Sequence, residues 1–338
     1  MNQLRLDPLS GRWVVVSTSR NPSPGLFRPR ATHPPGQRAE CPFCPGHEGS
    51  TPPALETYGA EGHWLVRVVP NLYPAFSGAQ QFVVTNKGPV FTEAPASGIH
   101  EILIFSPDHD LSWAQFSDEQ CGLVMAAIRD RIEEHQGTPG LRYSHVHVNF
   151  GVEAGASQEH PHGQLLGIPF VPRELVDEQG SFSRFHGGCL ICTAAASEER
   201  VGYRLVEVTD QAVTIAPFWS GTPYEMLVLP RSHEAQLQLS PPDTLIGMGT
   251  AIRDALFALD KIAGGPAYNV IFHSAPYRAT APFHWHAHIL PKLTTHAGFE
   301  LGTGVYVNVV PPEIAAEELR AAVPSTTNGN HSATRVAS

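Results

Sequence analysis

The feature that most constrains this chain is an internal repeat, in which segments of similar sequence recur 124 residues apart. Three pairs of segments keep this spacing: the stretches that end at His109 and His233, the Ala-Ile-Arg-Asp segments that begin at Ala127 and Ala251, and the His-x-His pairs that begin at His160 and His284. A duplicated domain is the simplest explanation for one register shared by three features. The length of 338 residues also suits about two domains.

Each copy contains the same series of elements: a Cys-x-x-Cys turn, strands, an apolar strand ending in histidine, an amphipathic helix, another strand and a His-x-His strand. In the first copy, Ser117 and Gln120 form a capping-box pattern before apolar residues at helical spacing, which predicts a helix ending at Gly137. A run that opens at Ser240 predicts its counterpart, ending at Gly264. Strands are predicted at 13–16, 64–69, 102–105, 146–149, 226–229 and 268–272. The fold class is therefore α+β, with mostly antiparallel sheet and flanking helices.

The repeat also suggests the domain organisation. We predict an N-terminal half at residues 1–178, a C-terminal half at 179–324 and a disordered tail at 325–338, whose residues are polar and small. The net charge of −10 is spread along the chain and leaves no basic footprint for nucleic acid. No apolar run approaches the roughly 18 residues of a membrane helix, and Met1 to Pro8 has no targeting pattern. We therefore expect a cytoplasmic protein with no nucleic-acid and no membrane partner.

Four of the five cysteines fall into two Cys-x-x-Cys pairs, Cys41 with Cys44 and Cys189 with Cys192. Such a turn places two thiolates side by side, which is the geometry that a tetrahedral zinc ion needs. The remaining Cys121 lies on the apolar face of the first predicted helix and is expected in the core. The paired cysteines therefore predict metal sites rather than disulfides.

The repeat supplies the missing metal ligands. His109 and His160 are 51 residues apart, and so are His233 and His284. Two structural Cys2His2 zinc sites are predicted: Cys41, Cys44, His109 and His160 in the first copy, and Cys189, Cys192, His233 and His284 in the second. Iron is the alternative metal at the second site, because this ligand set tolerates it.

The segment His160-Pro161-His162-Gly163-Gln164 carries the reactive chemistry. In an extended backbone, alternate side chains project to one side, so His160, His162 and Gln164 would share a face. The preceding small residues at 154–157 allow backbone amides to approach a phosphate. A neutral imidazole beside such a loop can attack phosphorus and form a covalent phosphoramidate, which splits a transfer into two steps.

The chain resembles the galactose-1-phosphate uridylyltransferase branch of the histidine-triad superfamily. The resemblance rests on three motifs: Cys41-Pro42-Phe43-Cys44, Ser106-Pro107-Asp108-His109 and His160-Pro161-His162-Gly163-Gln164. It implies two tandem histidine-triad-like halves, which agrees with the repeat. Family members are commonly homodimers with active sites near the subunit contact, so a homodimer is expected.

By position, the resemblance implies a UDP-glucose:hexose-1-phosphate uridylyltransferase that works by a ping-pong mechanism. His162 would attack the α-phosphorus of a UDP-hexose, release hexose 1-phosphate and pass the uridylyl group to a second hexose 1-phosphate. Gln164 would hydrogen-bond the transferring phosphoryl group. The implied substrate contacts are Arg20, Asn71, Asn149, Gly155, Ser157 and Gln164.

The resemblance also leaves alternatives open. In the better-known members, the positions that match Glu178, His273, His286 and His288 hold a second structural metal, which competes with the site predicted at the second Cys pair. His286 could also be a second nucleophile. The second Cys pair and the stretch at 298–304 look more like members that act as ADP-glucose phosphorylases, with AMP carried on histidine and phosphate as acceptor. Dinucleoside polyphosphate cleavage, and a zinc-stabilised binding module without catalysis, are the other hypotheses.

Overall fold

A computed structural model describes residues 2–17, 35–60 and 62–324. Arg20 and the tail at 325–338 lie outside the described residues. The strands are β1 Gln3–Leu6, β2 Trp13–Val16, β3 Glu56–Ala60, β4 His63–Pro70, β5 Thr85–Asn86, β6 Thr92–Glu93, β7 Ile99–Ile104, β8 Tyr143–Phe150, β9 His162–Ile168, β10 Leu205–Val208, β11 Ala212–Ile215, β12 Met226–Pro230, β13 Tyr268–His273, β14 His286–Pro291 and β15 Tyr306–Asn308. The helices are α1 Asp118–Gly137, α2 Arg173–Arg184, α3 Leu190–Val201, α4 Pro242–Ala263, α5 Gly298–Thr303 and α6 Pro312–Ala322.

Ten strands form one sheet in the order β10-β11-β12-β14-β13-β8-β9-β7-β4-β3. The order is symmetric about its centre, because β13, β14, β12, β11 and β10 lead outward on one side as β8, β9, β7, β4 and β3 do on the other. At the centre, β8 and β13 pair antiparallel with His147 opposite Ile271, two positions separated by the repeat offset. A pseudo-two-fold axis therefore passes between these residues. The predicted fold of two tandem halves in α+β architecture with antiparallel pairing is confirmed.

The long helices α1 and α4 also begin 124 residues apart and pack on each other against one face of the sheet. Their contact is close: a methyl group on Gly249 of α4 would lie 2.9 Å from the carbonyl oxygen of Cys121 on α1. Cys121 is fully buried in the main core, as predicted. Because the helices cover this face, the opposite face of the sheet is left for the polar residues described below.

The structure also refines the local sequence predictions. Ser117 caps α1 by accepting a hydrogen bond from the backbone N–H of Gln120, as expected. The Gln120 side chain does not complete a capping box but donates to the carbonyl of Leu65 on β4. All six predicted strands are present within a few residues of the expected bounds.

The repeat register shifts by one residue in a single strand. Leu103 pairs with Gly163 in the first half. In the second half, Val228 rather than Leu227 pairs with Ala287, so the two strands are related by 125 residues instead of 124. A one-residue shift reverses which side chains face the core. Residues of β7 and β12 that align at the 124-residue offset therefore point to opposite faces of the sheet.

The boundary predicted between residues 178 and 179 falls inside α2, and the two halves share one continuous sheet. The division into 1–178 and 179–324 stays a prediction. Among the described residues, none of the helices has the length and apolar character needed to cross a membrane.

Candidate active site and metal centres

The first Cys-x-x-Cys pair meets two histidines in a buried cluster. Cys44 Sγ lies 3.4 Å from His109 Nδ1 and 3.6 Å from His160 Nδ1, and Cys41 Sγ lies 3.7 Å from His160 Nδ1. The four ligand atoms lie within 4.8 Å of one another. The Nε2 atom of His160 donates to the carbonyl of Ser106 at 2.7 Å, which leaves the Nδ1 lone pair directed to the thiols.

The second pair forms the same arrangement at the surface of the other half. Cys192 Sγ lies 3.3 Å from His284 Nδ1 and 3.5 Å from His233 Nδ1, and Cys189 Sγ lies 3.5 Å from His284 Nδ1. His284 Nε2 faces the carbonyl of Pro230 at 3.1 Å, as His160 faces Ser106 in the first half. The structure thus brings together both ligand sets that the repeat predicts.

Both clusters fit a cation by the chemistry of their donors. Burial and the neighbouring Cys41 raise the pKa of Cys44 to about 11, while burial and Cys189 raise the pKa of Cys192 to about 12. A cation would stabilise the thiolates that these surroundings disfavour. Two sulfur and two nitrogen donors close enough to surround one ion tetrahedrally are a ligand set that zinc prefers.

A third cluster contains the residues that the resemblance offered as an alternative second site: Glu178 from α2, His273 from β13, and His286 and His288 from β14. His273 Nδ1 lies 2.8 Å from Glu178 Oε1, and the Nε2 atoms of His286 and His288 are 3.1 Å apart. Burial disfavours the charged form of His273, but the neighbouring Glu178 carboxylate favours it more strongly, so the pKa of His273 is raised. This cluster shares no residue with the Cys2His2 clusters, so the two sets do not compete.

His162 is the first residue of β9 and is almost fully buried. Its Nδ1 lies 2.8 Å from the carbonyl oxygen of His160. Because a carbonyl can only accept, Nδ1 carries the proton and Nε2 of the neutral ring keeps its lone pair. Burial lowers the pKa of His162, which favours this neutral form. The Phe43 ring of the Cys-x-x-Cys turn packs 5.4 Å from the imidazole and links the first cluster to the reactive strand.

Gln164 follows two residues later on the same face of β9, but His160 precedes the strand and turns into the metal cluster. The amide oxygen of Gln164 lies 2.9 Å from His100 Nε2 on the adjacent β7. Asn71, at the end of β4, places its Nδ2 3.1 Å from the same nitrogen. The structure therefore brings the predicted Asn71 and Gln164 together through His100.

The small-residue loop after β8 is held by a residue from the other half. Gly151 and Gly155 have φ angles of 85° and 88°, which residues with a side chain rarely adopt. Asn269 of β13 donates to Asn149 Oδ1 at 2.7 Å and to the Ala154 carbonyl at 2.9 Å. Since its oxygen is engaged, Asn149 presents its amide donors beside Gly155.

The same segment extends towards the reactive histidine. Asn149 and His162 line one small cleft, whereas Ser157 is exposed in the loop that leads to His160.

Sequence reasoning missed three histidines on this face: His100, His145 and His147. Burial lowers the pKa of His145 to about 3 and that of His147 to about 4, so both are neutral at physiological pH. His145 and His147 form a His-x-His pair in β8 with the same spacing as His160 and His162, a signal that could have found them, whereas His100 has no such partner. The strand pairing places His147 opposite Gln164, and His145 lies one pair further along, opposite Leu166.

The site and fold define a nucleotidyltransferase, the activity that the names of the matching proteins state. The chain belongs to the galactose-1-phosphate uridyl transferase family, because the model of that family's N-terminal domain matches residues 1–172, just over half of the chain. A second family model, described as a domain of unknown function (DUF4921), matches residues 111–337.

Individual relatives cover nearly the whole chain. ADP-glucose phosphorylase from Arabidopsis thaliana is 29% identical over 328 residues, which are 94% of this chain and 92% of the relative. Galactose-1-phosphate uridylyltransferase from Thermotoga maritima is 28% identical over 334 residues, 95% of this chain and 98% of the relative. A crystal structure of the Arabidopsis thaliana ADP-glucose phosphorylase with bound ADP-glucose has a TM-score of 0.79 and 27% identity, covering 95% and 99% of the two chains.

Proposed function

We propose that this protein transfers a uridylyl group between hexose 1-phosphates, as a UDP-glucose:hexose-1-phosphate uridylyltransferase. In the first half-reaction, His162 Nε2 attacks the α-phosphorus of UDP-glucose. A nitrogen–phosphorus bond forms, and the bond between the α-phosphorus and the bridging oxygen breaks, so that hexose 1-phosphate leaves. In the second half-reaction, a phosphate oxygen of another hexose 1-phosphate attacks the phosphorus and frees His162.

One observation carries this proposal: the hydrogen bond from His162 Nδ1 to the carbonyl of His160, which fixes the tautomer with a free lone pair on Nε2. A nucleophile needs that lone pair, and burial keeps the ring neutral. Asn149, Gly155 and Ser157 are proposed phosphate contacts, since the loop that holds them leads into the reactive strand. Arg20 and Asn71 complete the proposed substrate contacts.

We propose zinc at the two Cys2His2 clusters, with iron as the alternative at the second. A metal there would crosslink distant segments and stabilise the fold. In the first half it would hold His160, whose carbonyl orients His162. The residues of the first cluster therefore support the nucleophile, while the chemical step stays with His162.

A second candidate is an ADP-glucose phosphorylase-like activity, with adenylyl carried on the same histidine and phosphate as acceptor. The specific observation in its favour is the structural match to the Arabidopsis thaliana enzyme solved with ADP-glucose. The second Cys pair, assembled into a cluster here, also favours this branch. A homodimer and a cytoplasmic location, both predicted from the sequence, remain part of the proposal.

Intact-protein mass spectrometry separates these possibilities. Metal-replete protein is mixed briefly with UDP-glucose in one tube and ADP-glucose in another, and peptide mapping then locates any adduct. A uridylyl adduct on His162 supports the first candidate, and an adenylyl adduct on the same residue supports the second. An adduct on His286 would assign the chemistry to the other half. The absence of any adduct would favour a binding module, and His162→Gly protein with normal metal content serves as the control.

A further inference from the structure

We propose that His100 is a positioning residue that sets the amide orientation of Gln164 for the transfer reaction. The proposal rests on the proposed function, in which Gln164 hydrogen-bonds the phosphoryl group. His100 lies on β7, the strand next to β9, which carries His162 and Gln164, and its side chain is mostly buried. Neither the motifs nor the resemblance assigns it a role.

The tautomer of His100 is fixed by the main chain. The backbone N–H of Ala75 points to His100 Nδ1 at 3.0 Å. A backbone N–H only donates, so Nδ1 must accept and cannot carry the proton of a neutral ring. The proton is therefore on Nε2, which lies 2.9 Å from Gln164 Oε1.

This proton decides which way the Gln164 amide is turned. The oxygen and nitrogen of an amide are assigned from their hydrogen-bond partners, and a donor on His100 requires the oxygen of Gln164 to face it. The amide nitrogen, with its two N–H donors, is thereby turned away from His100. Gln164 and His162 share one face of β9, so these donors are available to a phosphoryl oxygen. With the amide reversed, its oxygen would meet an anionic group instead.

Asn71 also packs against the ring. Its Oδ1 accepts from the backbone N–H of Tyr73 at 2.9 Å, which directs Nδ2 to the imidazole. That nitrogen lies 3.1 Å from Nε2 and 3.5 Å from Nδ1 of His100. Because Nε2 carries the proton and Nδ1 already accepts from Ala75, this is a packing contact with the ring and not a hydrogen bond to either nitrogen. A chain of contacts thus runs from the segment 71–75 through His100 to Gln164.

The test measures the rate of histidyl adduct formation in a single turnover at saturating sugar nucleotide. His100→Asn can replace the acceptor at the Nδ1 position but does not reach Gln164, and we expect a rate about 10- to 100-fold lower. His100→Gln places an amide donor near the position of Nε2, and we expect a rate within about 3-fold of wild type. The concentration of sugar nucleotide that gives half the maximal rate should change little in either variant, because the lost contact acts in the transition state.

A double-mutant cycle shows whether His100 acts through Gln164. In a Gln164→Ala background, His100→Asn should cause no further loss beyond about 3-fold. Full additivity of the two losses would overturn the proposal, as would an unchanged rate in His100→Asn. A His100→Gln rate as low as that of His100→Asn would also overturn it.

His145→Asn is the matched control, since His145 faces the same side of the sheet and packs on His147 rather than on Gln164. Metal content and the thermal transition of each variant establish that the variants are folded. Wild-type protein that forms no adduct refutes the proposed function, whereas wild-type adduct formation with an unaffected His100→Asn rate refutes the positioning role alone.

Discussion

Replacing Gly163 with alanine tests whether the reactive strand depends on a glycine between its two functional side chains. A methyl group at this position would lie 2.5 Å from Cζ of Phe105 and 3.3 Å from the carbonyl oxygen of His147. The Phe105 ring is almost fully buried and packs edge-to-face on Trp113 at 5.3 Å, so it has no solvent to move into. Relief of the overlap therefore requires a shift of roughly 1 Å in the core or in β9.

Overpacking of this kind costs about 1–3 kcal/mol of unfolding free energy. Because Gly163 lies between His162 and Gln164, a displaced strand should also slow adduct formation, by about 100-fold for each ångström of misplacement. Urea denaturation of metal-replete protein measures the loss of stability, from the shift of the denaturation midpoint when the dependence of the unfolding free energy on urea concentration is unchanged. The single-turnover adduct rate measures the second effect.

Two further variants make the Gly163 prediction specific. Gly137→Ala, at the end of α1, places its methyl group where nothing lies within 4 Å, and we expect stability and rate to remain near wild type. Phe105→Leu removes the Cζ atom, so in the Gly163→Ala background it should restore at least about 1 kcal/mol relative to additivity. A Gly163→Ala protein as stable and active as wild type, or strictly additive losses, would refute the packing argument.

Three other predictions concern buried charge and metal. Arg131→Met should cost about 3–5 kcal/mol in urea denaturation, because it leaves Glu101, bound at 2.6 Å, buried without its guanidinium partner; a smaller loss would show that other contacts suffice. Burial raises the pKa of Glu225 to about 8, so the folded state keeps a proton that the unfolded state releases above its usual value of 4.5, and stability falls as pH rises between these values. Glu225→Gln should make the fall of unfolding free energy with pH less steep by up to about 1.4 kcal/mol per pH unit. Denaturation at pH 5.5, 6.5 and 7.5 measures this dependence, and the same dependence in the variant as in wild type would refute the prediction. Cys44→Ser and Cys192→Ser should each lose one bound metal by mass spectrometry of the metal content, and an unchanged content would contradict the corresponding site.

The repeat made much of the fold predictable, because a shared offset identifies equivalent strands and helices. It could not show that the halves join through β8 and β13 into one sheet, since that pairing depends on which edge each half leaves open. Nor could it show the register shift that pairs Val228 with Ala287, because sequence similarity aligns residues along the chain and not across a ladder.

The candidate site was predictable where its residues carry a spacing. Both Cys2His2 clusters follow from the repeat, but the third cluster draws Glu178 from α2 and histidines from two strands, so it was reached only through the resemblance. His100 had no signal at all. Its partner Gln164 is 64 residues away, and only the pairing of β7 with β9 brings the two together.

The pseudo-symmetry shows how one scaffold presents two different sets of side chains at equivalent positions. His162 and His286 occupy equivalent positions, and each directs Nδ1 to the carbonyl two residues earlier at 2.8 Å, so both present Nε2 on the same face. In the second half, the position equivalent to Gln164 is His288, whose Nε2 lies 3.1 Å from that of His286, with Glu178 alongside. A histidine and a carboxylate at this point could hold a metal ion, whereas the oriented amide of Gln164 is proposed to donate to a phosphoryl oxygen. Two strand positions, Gln164 against His288 and Asn149 against His273, together with the approach of α2, therefore separate the half proposed to react from the half whose histidines gather into a metal-type cluster.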